Sequence, residues 1–256
     1  MCETRYSPYY TRGVKQMAQH TEFSGFRSEC IAFYASLREN NNKTWFDAHR
    51  NEYERYVMEP ARSFVTAMGE RLRDLVPGIH ADPRTNRSIF RIYRDTRFSK
   101  DKRPYKTHMA LFFWEGSGPK VECPGFYFHF DAEHLLLGGG VYLFPKHMLH
   151  AYRQLVVHPE HGKSLASLLD EIRIRKDYTI GGQHYKAVPR GYDGDHERAE
   201  LLLYNGLHIG KTEPIPDMLF SKELIHYCMD VFEILLPVHQ WLVALALRTT
   251  QHDTHK

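Results

Sequence analysis

Hydrophobic positions in the first quarter of the chain recur every three or four residues, the spacing of one face of an α-helix. The first such run follows Ser24, the expected N-cap, and stops at the polar triplet 40–42. A second helix is predicted to start at Thr44, with Asp47 in place of the Glu of a capping box. Pro60 either kinks this second helix or lies in the first turn of a third helix. This part of the chain is therefore predicted to be helical.

A β-type pattern replaces the helical one after Pro83. Short runs of β-branched and aromatic residues are separated by Gly and Pro, as in successive strands of a sheet. The predicted strands are 88–93, 107–114, 125–130 and 134–144. We expect the last two to form a hairpin. Three consecutive glycines, 138–140, indicate either a β-bulge or a backbone that another part of the chain approaches closely.

Helical spacing returns in the second half of the chain. Pro145 begins one predicted helix, and a second follows a break near Pro159. Residues 177–193 are predicted to be a loop, with a strand as an alternative. The remaining predicted elements are a short helix at 195–204, a strand at 206–211 and an amphipathic helix over 221–248 that is interrupted at Pro237.

This order of elements predicts an α+β protein. We find no internal repeat and no linker long enough to separate two domains. The expected architecture is a single domain over residues 21–250, with a central, mainly antiparallel sheet and N-terminal, middle and C-terminal helices. Residues 1–20 have no apolar periodicity and are predicted to be a disordered tail, and residues 251–256 form a second tail.

Composition indicates a globular protein, since 42% of the 256 residues are hydrophobic and 13% are aromatic. The four cysteines are scattered without a C-x-x-C pair, and Cys30 and Cys228 fall among apolar helix positions, as core thiols do. No apolar h-region opens the chain, and no apolar run reaches the ~18 residues of a membrane span. We therefore expect a cytoplasmic protein without a membrane partner.

Positive charge is concentrated in one segment. Between Arg84 and Lys106, nine Lys or Arg residues stand against Asp95 and Asp101. The local charge is therefore +7, which leaves −4 for the rest of a chain whose net charge is +3. Such a local excess indicates a role for these cations, whereas the mild net charge alone predicts no partner.

Two interpretations of these cations are open. Side chains of a strand alternate, so Arg91 and Arg94 would point to opposite faces. In the first interpretation, arginine forks and lysine ammonium groups bind the phosphate or carboxylate of a small ligand. The candidate ligand-binding residues are Arg91, Arg94, Arg97, Lys102, Lys106, Arg190 and His196. In the second, the arginines pair with carboxylates such as Asp95, Glu52 or Glu59 and have a structural role.

Catalytic chemistry has weaker support in the sequence. Asp95, Tyr105 and His108 lie near the cations, where the pKa of an acid falls and a histidine titrates near neutral pH. The 17 histidines include no H-E-x-x-H pair or other metal-ligand spacing, so no metal site is predicted. The phosphate-binding motifs G-x-x-x-x-G-K-[ST] and G-x-G-x-x-G are absent, and the sequence identifies no cofactor.

A nucleic-acid-binding protein is an alternative function. Tyr93, Phe98 and Tyr105 are interleaved with the cations, a pattern that suits a groove for a single strand. The mild pI of about 8.6 argues weakly against this alternative. Salt-dependent affinity for an oligonucleotide would distinguish it from binding of a small anion.

The basic segment also resembles the signature of a known family. "RIYRDTRFSKDKRPYKTH" (91–108) is similar to the R-x-x-R-D-x-R-F, K and Y-K pattern of the domain of unknown function 2461 family. The resemblance covers residues 23–248 and includes "NNKTWFDAHRNEY" (41–53), "PGFYFHF" with "LLLGGGVY" (124–142) and "AVPRGYDGDHE" (187–197). The positions that match are Trp45, Phe46, Tyr53, Arg91, Arg94, Asp95, Arg97, Phe98, Lys102, Tyr105, Lys106, Gly139, Gly140, Pro189, Arg190, Gly191, Asp193, Asp195 and His196. The resemblance implies a shared fold, but no established activity, substrate or cofactor.

Overall fold

A six-stranded antiparallel sheet forms the centre of the molecule. The computed structural model describes residues 22–252, so the predicted tail over residues 1–20 lies outside the described chain. The strands are β1 (Ile79–His80), β2 (Met109–Glu115), β3 (Gly125–Phe130), β4 (His134–Val141), β5 (Tyr178–Gln183) and β6 (Tyr204–Pro214). Their spatial order is β1-β2-β3-β4-β6-β5. The predicted α+β class and antiparallel sheet are confirmed.

Helices precede the sheet, separate β4 from β5 and follow β6. They are α1 (Ser28–Glu39), α2 (Lys43–Ala48), α3 (Arg50–Glu52), α4 (Glu59–Leu75), α5 (Lys146–Val157), α6 (Pro159–Arg173) and α7 (Leu224–His252). A π-helical turn, Tyr53–Met58, joins α3 to α4, and Pro60 lies in the first turn of α4, which is the second of the two predicted alternatives. Since α7 ends at His252, it extends into the segment predicted to be the C-terminal tail, whose last residues, 253–256, are not described.

The predicted N-caps of the first two helices are wrong. α1 begins four residues after Ser24 and has no side-chain cap, because Gly25 adopts a φ of +115° that interrupts a helical path from Ser24. At α2, the capping residue is Asn42 and not Thr44. Its Oδ1 atom accepts a hydrogen bond from the Trp45 N–H at 3.0 Å. Asn is a stronger N-cap than Thr, which accounts for the shifted start.

One face of the sheet forms the hydrophobic core. Phe126, Phe128 and Phe130 alternate along β3 and are fully buried. Phe126 packs against Phe232 of α7 with 4.8 Å between ring centroids, and Phe128 packs against Phe64 of α4 at 4.7 Å. The helices therefore cover this face. The residues between those phenylalanines point to the opposite face.

The helix α7 continues through Pro237, contrary to the predicted interruption. Leu235 and Val238 are both buried, so packing on either side of the proline holds the helix together. By length and composition alone, α7 would be long and apolar enough over Leu224–Thr249 to cross a membrane. Core helices of soluble proteins meet the same criteria, so this property is only a weak indication of a membrane span.

The predicted strand at 88–93 is wrong, because these residues form an extended but irregular segment. The Phe90 N–H donates a hydrogen bond to the Ala110 oxygen at 3.0 Å, which places this part beside β2. The pairing then changes partner. The Lys106 N–H donates to the Ile92 oxygen at 2.8 Å, so the chain closes into a loop. The segment therefore has no single strand partner, and Arg91 and Arg94 do not lie on the two faces of one continuous strand of the sheet.

Two of the three glycines of β4, Gly138 and Gly140, allow close packing of its neighbour β6. Residues of β3 and β4 stay in register across 138–140, so no bulge lies between these strands. A Cβ atom at Gly138 would lie 2.5 Å from the Ile209 carbonyl oxygen, and one at Gly140 would lie 2.2 Å from that of Leu207. Of the two predicted explanations, close approach of another backbone is therefore the correct one.

In the second half of the chain, the predicted kinds of secondary structure agree with the structure better than the predicted residue ranges do. The segment 177–193 contains the strand β5, and the helix predicted at 195–204 is a short 3₁₀ turn, Ala199–Leu203. The strand predicted at 206–211 is the central part of β6. Cys30 and Cys228 are buried free thiols, as predicted.

Candidate functional site

The sheet face opposite the helices carries a groove with a volume of about 780 Å³. Its floor crosses β3, β4, β6 and β5 at positions occupied by glycine. The floor glycines are Gly125, Gly138, Gly140, Gly181 and Gly210, and the walls include Phe90, Phe112, Tyr127, Tyr142, Leu143 and His208. A groove of this volume, with mostly apolar walls and few polar groups, is typical of sites for small organic ligands.

Two kinds of glycine form this floor. At Gly181, a Cβ atom would lie 2.3 Å from Nε2 of His208, so the position of the imidazole ring excludes a side chain there. At Gly210, the closest heavy atom to an added Cβ would be Oγ1 of Thr179, at an ordinary contact distance of 3.9 Å. Packing among the described residues therefore permits a side chain at Gly210. The effect of glycine at this position is to enlarge the groove.

A row of polar aromatic side chains lies on the groove face. The Tyr127 hydroxyl and Nδ1 of His129 are hydrogen-bonded at 3.0 Å, and the His129 ring stacks on His108 with 4.2 Å between centroids. Burial, followed by repulsion from His129 and Lys106, lowers the pKa of His108 to about 4. Burial also lowers the pKa of His129, so both rings are neutral at pH 7. Nδ1 of His208 is buried without a hydrogen-bond partner among the described residues.

Lys106 and Lys120 stand at the Phe90 end of the groove, and Arg91, the residue after Phe90, acts electrostatically on Lys106. We call Arg91, Lys106 and Lys120 the cation cluster. The Nζ atoms of Lys106 and Lys120 lie 5.3 Å and 4.1 Å from the centroid of the Phe90 ring. Lys120 also donates a hydrogen bond to the backbone oxygen of Arg87. Within residues 22–252, no carboxylate oxygen lies within 4.0 Å of the side-chain nitrogens of the cation cluster.

The positive charges of the cation cluster repel one another, which makes the protonated form of each lysine less favourable. Partial burial lowers the pKa of Lys120 to about 8, and repulsion from Lys106 and Arg87 adds to the effect. The pKa of Lys106 is also lowered, first by burial and then by Arg91. A negative charge placed among these groups would reverse both effects, because it favours the protonated form of each amine.

The other arginines of the basic segment are already paired with carboxylates. Arg94 lies 2.7 Å from Asp101, with side chains 25% and 37% exposed, and Arg103 shares the same carboxylate at 2.8 Å. Arg97 lies 2.7 Å from Asp95 and holds the pKa of that carboxyl at about 2. Asp95 is thus a poor proton acceptor at neutral pH. Arg94 and Arg97 adopt the structural pairing that was the second interpretation of the sequence.

Two further predicted residues shape the loop. The ammonium of Lys102 donates a hydrogen bond to the Thr96 backbone oxygen at 2.9 Å. Tyr105 is buried, and its ring stacks on Phe46 with 4.3 Å between centroids. Both side chains therefore contribute to the conformation of the basic loop, and Tyr105 offers no exposed surface to a ligand.

Arg190 and His196 lie apart from the other predicted site residues. They follow β5, which is the edge strand opposite to β1 and β2. Nδ1 of His196 accepts a hydrogen bond from the Arg198 N–H at 3.0 Å, and Arg190 is exposed. Neither residue has a described contact with Arg91 or with the rest of the cation cluster. The structure does not bring these residues together with the basic segment.

Lys120 and Tyr127 are among the site residues that the sequence prediction does not include. Lys120 lies outside the basic segment, and it reaches Phe90 only because the irregular segment folds beside β2. No local pattern around Lys120 reveals this contact. Tyr127 could have been found, because strand alternation within "GFYFHF" places Tyr127 and His129 on the face opposite the core phenylalanines.

The fold and the groove define a single-domain α+β protein with a ligand-sized depression on the face of the sheet that the helices leave uncovered. The chain belongs to the family described as conserved hypothetical protein (DUF2461), whose family model matches residues 29–241. This match confirms the resemblance seen in the basic segment. No curated protein matches the chain. Within residues 22–252, no group of three or more His, Cys, Asp or Glu side chains is arranged to hold a metal ion.

Proposed function

We propose that this protein binds a small organic ligand bearing a phosphate or carboxylate group. The anionic group contacts the cation cluster, and the remainder of the ligand lies along the glycine floor of the groove. The observation that carries the proposal is the position of Lys106 and Lys120, two partly buried ammonium groups on one phenyl ring without a carboxylate partner.

An electrostatic argument supports an anion at this position. Burying a charge without a counter-charge is unfavourable, and Arg94, Arg97 and Arg103 of the basic segment each have a carboxylate partner. Lys106 and Lys120 are partly buried and have no carboxylate within 4.0 Å among residues 22–252, so an anion bound beside them would be favourable. The charge of the exposed Arg91 also acts on Asp95. The neighbouring aromatic walls would orient the uncharged part of the ligand.

Binding of sulfate tests this proposal, because sulfate keeps the same charge across the pH range of interest. The affinity should be constant between about pH 6 and 7 and should fall above the free-protein pKa of Lys120, about 8. The sign follows from linkage: the anion favours the protonated amine, so binding raises the pKa of Lys120, and deprotonation weakens binding by up to about tenfold per pH unit.

Isothermal titration calorimetry at constant ionic strength measures this pH dependence. Absence of binding at millimolar sulfate, or an affinity that stays constant through about pH 9.5, would contradict the assignment of the anion to Lys120. Chloride at the same ionic strength is the control for general charge screening.

A second candidate function, binding of single-stranded nucleic acid, has one specific observation in its favour. Phe98 at the tip of the basic loop is 95% exposed, and the Arg97 guanidinium lies 5.8 Å from its ring centroid. Such an exposed ring beside a cation suits stacking of a nucleobase. If this function holds, Phe98→Ala should weaken binding of a single-stranded oligonucleotide by about tenfold in fluorescence anisotropy at low salt.

The matched control for that measurement is Ile174→Ala, which removes an exposed apolar side chain, 80% accessible, from the end of α6. Its affinity should equal that of the wild type. Equal affinities for the wild type and Phe98→Ala, or no complex at low salt, would remove nucleic acid as a partner of this loop.

A further inference from the structure

Lys120 has the surroundings of a reactive amine. Its Nζ atom lies 4.1 Å from the Phe90 centroid and donates a hydrogen bond to the Arg87 backbone oxygen. The charged groups that act on it are the cations Lys106 and Arg87. Glu122 belongs to the same 3₁₀ turn and lines the groove, but its carboxylate is not within 4.0 Å of Nζ.

A lysine on β6 shows the opposite arrangement. The ammonium of Lys211 lies 3.3 Å from Asp177 and 3.7 Å from Glu213, and it interacts with the hydroxyl of Tyr227. These partners outweigh burial, so the pKa of Lys211 is raised. Lys211 is therefore held as a charged, structural group, whereas Lys120 has neighbours that favour the neutral amine.

We propose that Lys120 is a nucleophilic lysine, which forms an imine with an aldehyde or ketone that also carries an anionic group. The inference rests on the proposed function, because Lys106 and Arg91 would hold the anionic group while the amine of Lys120 attacks. The ligand class is thereby narrowed from small organic anions to carbonyl compounds with a phosphate or carboxylate group.

The reaction requires no oxidant, reductant or metal. The lone pair of the neutral Nζ adds to the carbonyl carbon, a C–N bond forms, and the carbonyl π electrons move to oxygen, which takes up a proton. The resulting carbinolamine then loses that oxygen as water, and the C=N bond of the imine is formed. The overall change is amine plus carbonyl compound giving imine plus water.

The neutral fraction of Lys120 is large enough for this step near neutral pH. With a pKa of about 8, roughly one quarter of the amine is unprotonated at about pH 7.5. An ordinary lysine with the unperturbed value has only about 0.1% in that form. In the free protein, Lys120 should therefore react with carbonyl compounds at least about tenfold faster than exposed lysines such as Lys163 and Lys222, even after a loss of intrinsic nucleophilicity. An anionic group bound at Lys106 and Arg91 offsets part of this gain, because it favours the protonated amine.

Pyridoxal 5′-phosphate, an aldehyde with a phosphate group, is a suitable probe. The full-length protein is treated with a stoichiometric amount, the imine is reduced with borohydride, and the labelled peptide is located by mass spectrometry. We expect one label at Lys120, protection by inorganic pyrophosphate, and slower labelling by pyridoxal, which lacks the phosphate. Equal labelling of Lys120, Lys163 and Lys222, or labelling that pyrophosphate leaves unchanged, would overturn the inference.

Binding of pyrophosphate to the wild type separates this inference from the proposed function, and the variant Lys120→Arg tests the position of the label. Arginine cannot form the imine, so the variant should lose the label. If wild type binds pyrophosphate and Lys120 remains unlabelled, the imine inference fails and the proposed function stands. If pyrophosphate does not bind to the wild type, both fail. Because arginine preserves the charge at a partly exposed site, the melting temperature of Lys120→Arg should match that of the wild type.

Discussion

Replacing Lys106 and Lys120 together by alanine should weaken the binding of pyrophosphate by about 100-fold at about pH 7.5. Each ammonium group supplies a charge-assisted hydrogen bond to the anion, and two such bonds together contribute about 3 kcal/mol or more. The dissociation constants are measured by isothermal titration calorimetry at constant ionic strength. Arg91 remains in the variant, so residual weak binding is expected.

The matched control is the double variant Lys163→Ala and Lys222→Ala. It removes the same charge from two exposed positions, one in α6 and one before α7. Binding should be nearly unchanged, because exposed charges far from the anion are screened by salt. Equal losses of affinity in the two double variants would show that net charge, and not the cation cluster, attracts the anion.

The stability of the double variant Lys106→Ala and Lys120→Ala shows whether the two lysines serve binding or folding. Lys106 and Lys120 are partly buried, repel each other and have no carboxylate partner among residues 22–252. Their removal should therefore leave the midpoint of urea denaturation no lower than that of the wild type. A large loss of stability would indicate that contacts with Phe90 make the two lysines structural residues.

Replacing Gly140 by alanine should lower the free energy of unfolding by about 3 to 5 kcal/mol. Gly140 has a φ of +128°, a conformation that residues with a Cβ atom rarely adopt. In addition, the new Cβ would lie 2.2 Å from the Leu207 carbonyl oxygen, so β4 and β6 would have to separate. Denaturation in urea, followed by circular dichroism, measures the change.

Gly210→Ala is the control, since it adds the same methyl group to the strand that pairs with β4. Its closest neighbour would be 3.9 Å away, and its backbone has no positive φ. The free energy of unfolding should stay within about 1 kcal/mol of the wild-type value. Equal destabilisation by the two substitutions would contradict the distinction between glycines required by packing and the glycine that enlarges the groove.

The centre of the sheet was predictable because its signals are local. The bounds of β3 match the predicted strand 125–130, since Gly and Pro breaks flank a run of aromatic residues. The β3-β4 hairpin and the close approach at 138–140 follow from neighbouring residues as well. The charged cluster was predicted at Arg91 and Lys106, which lie in the basic segment itself.

The composition of the site depends on contacts that are distant in sequence. Lys120 lies near Lys106 only because both side chains reach the ring of Phe90. The path of the segment that contains Phe90 is set by hydrogen bonds to β2 and to later residues of the same loop. Pairing of Arg94 with Asp101 has the same origin, a turn of the chain that alternation could not predict. The separation of Arg190 from the cluster follows from the strand order, which no local pattern specifies.

A crystal soaked in tungstate gives the most direct test of the central claim. Tungstate is a tetrahedral dianion like sulfate, and its anomalous scattering locates it without ambiguity. We expect a peak within about 4 Å of the Nζ atoms of Lys106 and Lys120, near Arg91 and at the Phe90 end of the groove. Tungstate bound only at the paired arginines of the basic loop, with none at the cation cluster, would contradict the account.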